Sequence, residues 1–305
     1  MSFDETLLNP DEKIIFSLRE LYRAAGFTQY RMGKFEEYDL YARNKDFLIS
    51  DNILTFTDTG GKLMALKPDV TLSIVRAWRD GGGVQKLYYN ENVYRPATHS
   101  GPFRELTQSG VECIGDLGEA EIGDVLRLAL QSLERVAPEH VLSVSHLGIL
   151  SSLLEALDVP VEKRGAVAAL VARKSSHELA GLCGAEAANI LGKLIAAHGA
   201  PCDVLPYLRS LPCDASAVDE LERLTAAAGS AALTLDFSIT GNPNYYNGVV
   251  FKGYVRGVPA AVLSGGQYDA LLDRMGKRAK AVGFAVFVDL PAQFYAHGAG
   301  EGEPL

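Results

Sequence analysis

The sequence predicts an α+β fold: a mostly antiparallel sheet flanked by helices, with a helical insertion at about residues 160–230. Three observations carry this. Strand and helix patterns do not alternate regularly, which argues against a doubly wound parallel sheet. Two pairs of strand-like segments, "VQKLYYNENVYR" with "RELTQSGVECIG" and "NGVVFKGYV" with "VPAAVLSGG", are separated only by loops, the connection that antiparallel strands permit. Between them, alanine and leucine dominate and strand-formers thin out.

Taken in order, Asn9 and Pro10 give an N-cap followed by proline at the first helical position. Ile14, Ile15, Leu18, Leu21 and Tyr22 recur at helical spacing, and Gly26 closes the helix. "KLMALKPDVTLSIVRAW" reads as strand, loop and amphipathic helix. The "GGG" at 81–83 is a turn before the first strand pair, whose strands are joined by the loop "PATHSGPF". "GEAEIGDVLRLALQSLERV" is a helix, "HVLSVSH" a strand and "LGILSSLLEAL" a helix. "GAVAALVARKSSHELAGL", "AANILGKLIAAHG" and "ASAVDELERLTAAAG" keep the helical period. Then "NGVVFKGYV" and "VPAAVLSGG" form a hairpin around a short "RG" turn, "QYDALLDRMG" is a helix, and "KAVGFAVFVDL" is a buried strand feeding a last helix.

The chain has 305 residues, 48% hydrophobic and 22% charged, the composition of an ordinary globular protein. It has no uninterrupted apolar run of spanning length, and its first residues are polar and acidic. Neither a membrane segment nor a signal peptide is expected, and the cytoplasm is the expected location. The net charge of -9 argues against nucleic-acid partners, tRNA included; "VEKRGAVAALVARKSS" reads as a solvated helix face. Four cysteines without a C-x-x-C pair, and six scattered histidines, indicate neither a disulfide framework nor a metal site. His140 and His146 bracket an apolar strand as core or surface residues. No G-x-G-x-x-G, Walker loop or nucleophile elbow is present, and no cofactor is expected.

Five places set polar residues into apolar text. They are Asp69 with Thr71, Arg95, Gln108 with Glu112, Tyr245 with Tyr246, and Tyr268 with Asp269. Gln108 and Glu112, four apart, share one face of a strand. Tyr245 and Tyr246, adjacent in an extended chain, should point to opposite sides. Singly, each has a structural reading: Asp69 caps the following helix, Arg95 ends a strand in water, a strand glutamate faces solvent. Together they suit a small ligand carrying an ammonium and a second polar hydrogen-bonding group.

The blocks "LKPDVTLSIVRA", "VYRPATHSGPFRELTQSGVECIG", "YYNGVVF" and "SGGQYDALL…AVGFAV" resemble, in order and spacing, the catalytic domain of histidyl-tRNA synthetases. The resemblance spans nearly the whole chain. It implies a class II aminoacyl-tRNA synthetase-like fold over residues 1–305, usually dimeric, here with the helical insertion and without an anticodon-binding domain. By that resemblance Asp69, Thr71 and Gln108 hold a substrate ammonium, and Glu112 and Tyr246 grip an imidazole. With Arg95 and Tyr245 they make the candidate histidine-binding set. A buried carboxylate opposite the ring would favour histidine over isosteric amino acids.

The catalytic groups differ from that pattern. The family arginine before the tyrosine pair is absent from "SITGNPN", "GFAVFVDL" ends in Asp289 and Leu290 where the family has an adenine-stacking arginine, and "RPATHSGPFRE" departs from the motif 2 loop. Arg95 and Arg104 remain. Each electrostatic stabiliser lost raises a phosphoryl-transfer barrier by about 3 kcal/mol. A kept amino-acid pocket with lost adenylation chemistry is similar to the regulatory-subunit family of ATP phosphoribosyltransferase. That resemblance implies a chain without catalysis of its own, partnered with a short-form catalytic subunit in histidine biosynthesis and with histidine as effector. A truncated histidine-activating ligase and a tRNA-binding sensor are the alternatives.

Overall fold

The computed structural model describes residues 7–48, 52–81, 83–96, 101–242 and 245–296. Residues 97–100 of the "PATHSGPF" loop, Gly82, Pro243, Asn244 and the final "EGEPL" lie outside the described residues.

Helix α1 (Pro10–Ala24) starts where the Asn9–Pro10 signal places it, and the Asn9 amide donates to Glu12 Oε2 at 2.9 Å. Its apolar stripe buries Ile14, Leu18 and Tyr22. The short strands β1 (Thr28–Gln29), β2 (Phe35–Glu37), β3 (Thr55–Thr57) and β4 (Leu63–Leu66) follow, with helix α2 (Tyr38–Ala42) after β2. Helix α3 (Thr71–Ala77) then leads to the long pair β5 (Gln85–Pro96) and β6 (Phe103–Gly115). Next come α4 (Glu119–Val136), β7 (His140–His146) and α5 (Leu147–Ala156).

The Ala/Leu-rich stretch folds as α6 (Val161–Ala172), α7 (Ser176–Cys183), α8 (Ala185–Ala196), α9 (Pro201–Leu208) and α10 (Ala215–Ala228), with the two-residue strand β8 (His198–Gly199) between α8 and α9. The chain re-enters the sheet through β9 (Leu233–Asp236), β10 (Val249–Val255) and β11 (Leu263–Gln267). It ends in α11 (Asp269–Arg274), β12 (Lys280–Phe287) and α12 (Asp289–Ala296).

The main sheet has the order β1-β5-β6-β12-β11-β10-β7-β9-β8. From β5 to β7 every neighbouring pair is antiparallel, as is β8–β9, while β1–β5 and β7–β9 are parallel. A second small sheet, β2-β4-β3, flanks it. The expected antiparallel pairs are both present, but the β10–β11 hairpin is not tight. Residues 256–262 join the strands, because "VPAAV" runs as loop before pairing begins at Leu263.

One face of the sheet packs against α1 and α4, joining Val111, Phe251 and Phe284 to Leu18, Tyr22, Leu126 and Leu133. Burying each such side chain contributes about 1.5–3 kcal/mol. Leu170, Leu191 and Leu224 of the helical stretch belong to the same core, so the insertion is bonded into the body of the protein. On the opposite face α3 and α11 pack over Tyr89, Val93, Ile114 and Ala281. Beside them the sheet is carpeted by small residues, and a hollow is left.

Candidate functional site

The hollow follows from strand register. Gly110 of β6 faces Ala285 of β12, which faces Ser264 of β11, which faces Lys252 of β10. Two residues along, Glu112 faces Gly283, which faces Gly266. Directly opposed residues share a face, so these two rows form a floor nearly free of bulk. A Cβ on Gly283 would lie 1.8 Å from Glu112 Oε2, and one on Gly266 2.7 Å from Tyr246 Cδ1. The glycines make the space that the polar groups occupy.

The cavity has a volume of about 380 Å³. Asp69, Thr71, Arg95, Gln108, Glu112, Tyr245 and Tyr246 all line it, from segments far apart in sequence. Gln108 and Glu112 do share a face of β6, and both are buried. A solvent-facing Glu112 is thereby excluded, as is an Arg95 in water, since Arg95 is buried as well.

Glu112 is the centre of the polar network. The Thr71 hydroxyl donates to its Oε1 at 2.6 Å and the Tyr268 hydroxyl to its Oε2 at 2.7 Å. Burial nonetheless pushes its pKa up to about 8; the two donors offset this in part, and nearby Asp69 adds to it. Asp69 meets its structural reading as a cap and also faces a cation of the cavity lining. Its Oδ1 accepts from the Leu72 amide at 2.9 Å, capping α3, and its Oδ2 lies 3.8 Å from Arg95 Nη2. Burial raises the Asp69 pKa, while Arg95 and the backbone amides pull against that rise. Arg95 Nε also donates to the Pro68 carbonyl at 2.5 Å, which fixes the guanidinium against the loop that carries Asp69.

The tyrosine pair departs from the expected alternation. The amides of Tyr245 and Tyr246 both donate to the Asn242 carbonyl at 2.9 Å, so the chain turns there and is not extended. Strand β10 begins only at Val249. Both rings therefore face the cavity, 4.6 Å apart and edge-on, and Tyr245 stands 5.6 Å from Tyr268. Their hydroxyls meet Thr71 and Ser264 respectively, and burial raises the pKa of both phenols.

Tyr268, Lys252, Ser264 and Tyr89 also line the cavity, although none was in the candidate set. Tyr268 was singled out with Asp269 as a polar place in apolar text, but its bond to Glu112 bridges 156 residues, which no local pattern reveals. Its neighbour Asp269 points elsewhere: Oδ1 accepts from the Ala281 amide and Oδ2 from Asn247 Nδ2, fastening the turn after Tyr246. Asp289, where the synthetase pattern has arginine, accepts from the Thr107 amide at 2.7 Å and tacks α12 to β6. His146 caps α5 through the Gly148 amide. Among the described residues no group of three or more His, Cys, Asp or Glu side chains could hold a metal ion. No described helix is long and apolar enough to cross a membrane.

Residues 8–290 match the histidyl-tRNA synthetase family model. The chain belongs to the histidyl-tRNA synthetase family. Its fold is accordingly of the class II synthetase type. Its relatives carry two kinds of name. It is 28% identical to the ATP phosphoribosyltransferase regulatory subunit of Clostridium kluyveri, covering 89% of this chain and 74% of that one. It is equally 28% identical to the histidine–tRNA ligase of Methanocaldococcus jannaschii, covering 89% and 68%. Among solved structures, the ATP phosphoribosyltransferase regulatory subunit/histidyl-tRNA synthetase from Bacillus halodurans superposes with a TM-score of 0.82 at 23% identity, covering 93% of this chain and 78% of that one. A chain of the ATP phosphoribosyl transferase (HisG:HisZ) complex from Thermotoga maritima does so at 0.73 and 18%, covering 91% and 97%. These two structures share the fold of this family member.

Proposed function

We propose that this chain is the non-catalytic regulatory subunit of ATP phosphoribosyltransferase, needed for the activity of a short-form catalytic subunit and carrying its response to histidine. The observation that supports this most is the cavity itself. It keeps a carboxyl flanked by hydroxyls and aromatic rings, while cationic groups are sparse. In this reading the imidazole sits against Glu112 and the tyrosines. The ammonium sits towards Asp69 and Gln108, with Thr71 between the two ends. Among the described residues, the cations lining the cavity are Arg95, already directed to Asp69 and Pro68, and Lys252. Activation of an amino acid would load negative charge onto a transferring phosphate, and two cations are a thin provision for that. The regulatory names among its relatives, and the complex structure that shares its fold, support the same assignment. Histidine acts, in this view, by binding one conformation of the assembly better than the other.

The test is phosphoribosyl-ATP formation by a short-form catalytic subunit from the same genome, with and without this chain and with and without histidine. Activity that depends on the chain and falls with histidine is the expected result. Activity indifferent to the chain would rule the proposal out. The ligase relative favours a second reading, a histidine-activating enzyme built around Arg95. Histidine-dependent ATP–pyrophosphate exchange by this chain alone would establish it in place of the first.

A further inference from the structure

Lys252 is a charge in the cavity wall to which the assignments above give no task. It lines the cavity from β10, on the strand row that runs through Ser264, Ala285 and Gly110. It is half-buried, and among the described residues its ammonium has no ion-pair partner. Arg95, the other cation of the lining, is committed to Asp69 and the Pro68 carbonyl. The two acids of the lining, Asp69 and Glu112, belong to the other end: Glu112 stands three strands away on β6. At about 4.8 Å per strand that is about 14 Å between backbones.

The cavity is therefore dipolar, with carboxyls at one end and a lone ammonium at the other. We propose that Lys252 is the carboxylate-binding residue of this site, so that the cavity selects the free amino acid over analogues of the same ring and amine that lack the carboxylate. This deepens the histidine reading and rests on it. A partly desolvated ammonium without a counter-charge is unfavourable, and an arriving carboxylate completes it. The neighbouring Ser264 hydroxyl, already in contact with Tyr246, places a second donor beside the same spot. Occupation of Lys252 would thus be felt by the turn that carries both tyrosines.

Titration calorimetry of the full chain with L-histidine and with histamine tests this. The parent should bind histidine about 10- to 100-fold more tightly than histamine, the range of a charge-assisted hydrogen bond. Lys252→Gln should bring histidine down to the histamine level and leave histamine unchanged. Lys252→Arg, which keeps the charge, should restore part of the preference. If Lys252→Gln fails to fold, the arginine variant decides alone, because a displaced charge must weaken histidine and spare histamine.

A variant that discriminates as well as the parent, or a parent that binds both ligands equally, overturns the role of Lys252 and leaves the histidine reading standing. ATP binding that requires Lys252 would assign the cation to a phosphate and overturn it likewise. A folded parent that binds no histidine takes down both the reading and this inference.

Discussion

A carboxyl group folded into the cavity floor, with two hydroxyl donors and, among the described residues, no cation paired with it, keeps its proton past the pH at which an exposed glutamate has lost it. Glu112 titrates near 4.5 when unperturbed and at about 8 in the folded chain. Through that window the unfolded chain has released a proton that the folded chain still holds. Unfolding free energy from this group therefore falls as pH rises from about 4.5 to about 8, and the loss is complete above that. Glu112→Gln has no such titration. Urea unfolding across this pH range should show the variant gaining several kcal/mol on the parent towards alkaline pH. Parallel curves would mean that Glu112 ionises normally.

Tyr268→Phe removes one of the donors that hold the Glu112 pKa down. It should cost about 1–3 kcal/mol of stability and move the upper edge of the window to higher pH. An unmoved edge in the same titration would show that the phenol does not stabilise the carboxylate. At this scale the sequence disclosed which residues are polar among apolar neighbours. It did not disclose that Glu112 meets Tyr268, because that contact depends on how β6 and β11 are brought together around β12.

At the scale of elements, the signals that proved readable are those in which a few adjacent residues act on one another. Asn9, Pro10 and Glu12 start α1 by local hydrogen bonding and fixed φ, and Asp69 caps α3 three residues ahead. The tyrosine turn was misread because its cause is two amides converging on the Asn242 carbonyl, which the strand-like text around it conceals. The late start of β11 was missed for a related reason, since the apolar "VPAAV" fits a strand by composition without pairing as one.

The floor glycines belong to this scale too, because strand register alone gives them meaning. A methyl group on Gly283 would meet Glu112 Oε2 at 1.8 Å and the Val111 carbonyl at 2.5 Å. Gly283→Ala should destabilise the protein by about 1–3 kcal/mol and abolish ligand binding. Adding Glu112→Ala should return part of that stability by removing the atom struck first, a coupling that a double-mutant cycle in urea would register. Strictly additive losses would show that the β6–β12 backbone contact, and not the carboxyl, sets the penalty.

For the whole molecule, the alternation test correctly separated this architecture from a parallel one, and the change of texture near residue 160 correctly marked a helical stretch. Composition did not show that this stretch shares one core with the sheet, through Leu170, Leu191 and Leu224. Sharing a core makes folding of sheet and insertion a joint event, so a ligand held on the opposite face of the sheet should stabilise both together. Histidine at a hundredfold excess over its dissociation constant would contribute about 2.7 kcal/mol to the folded state. With an unfolding entropy of about 2.1 cal/mol/K per residue, a chain of this length should then melt about 4 °C higher. Calorimetric melting with increasing histidine measures the shift. Hydrogen exchange should show slower opening in α6 and α8 as well as in β6. A chain that activates its catalytic partner yet melts unchanged with histidine would move the effector site out of this cavity and onto the surface where the two subunits meet.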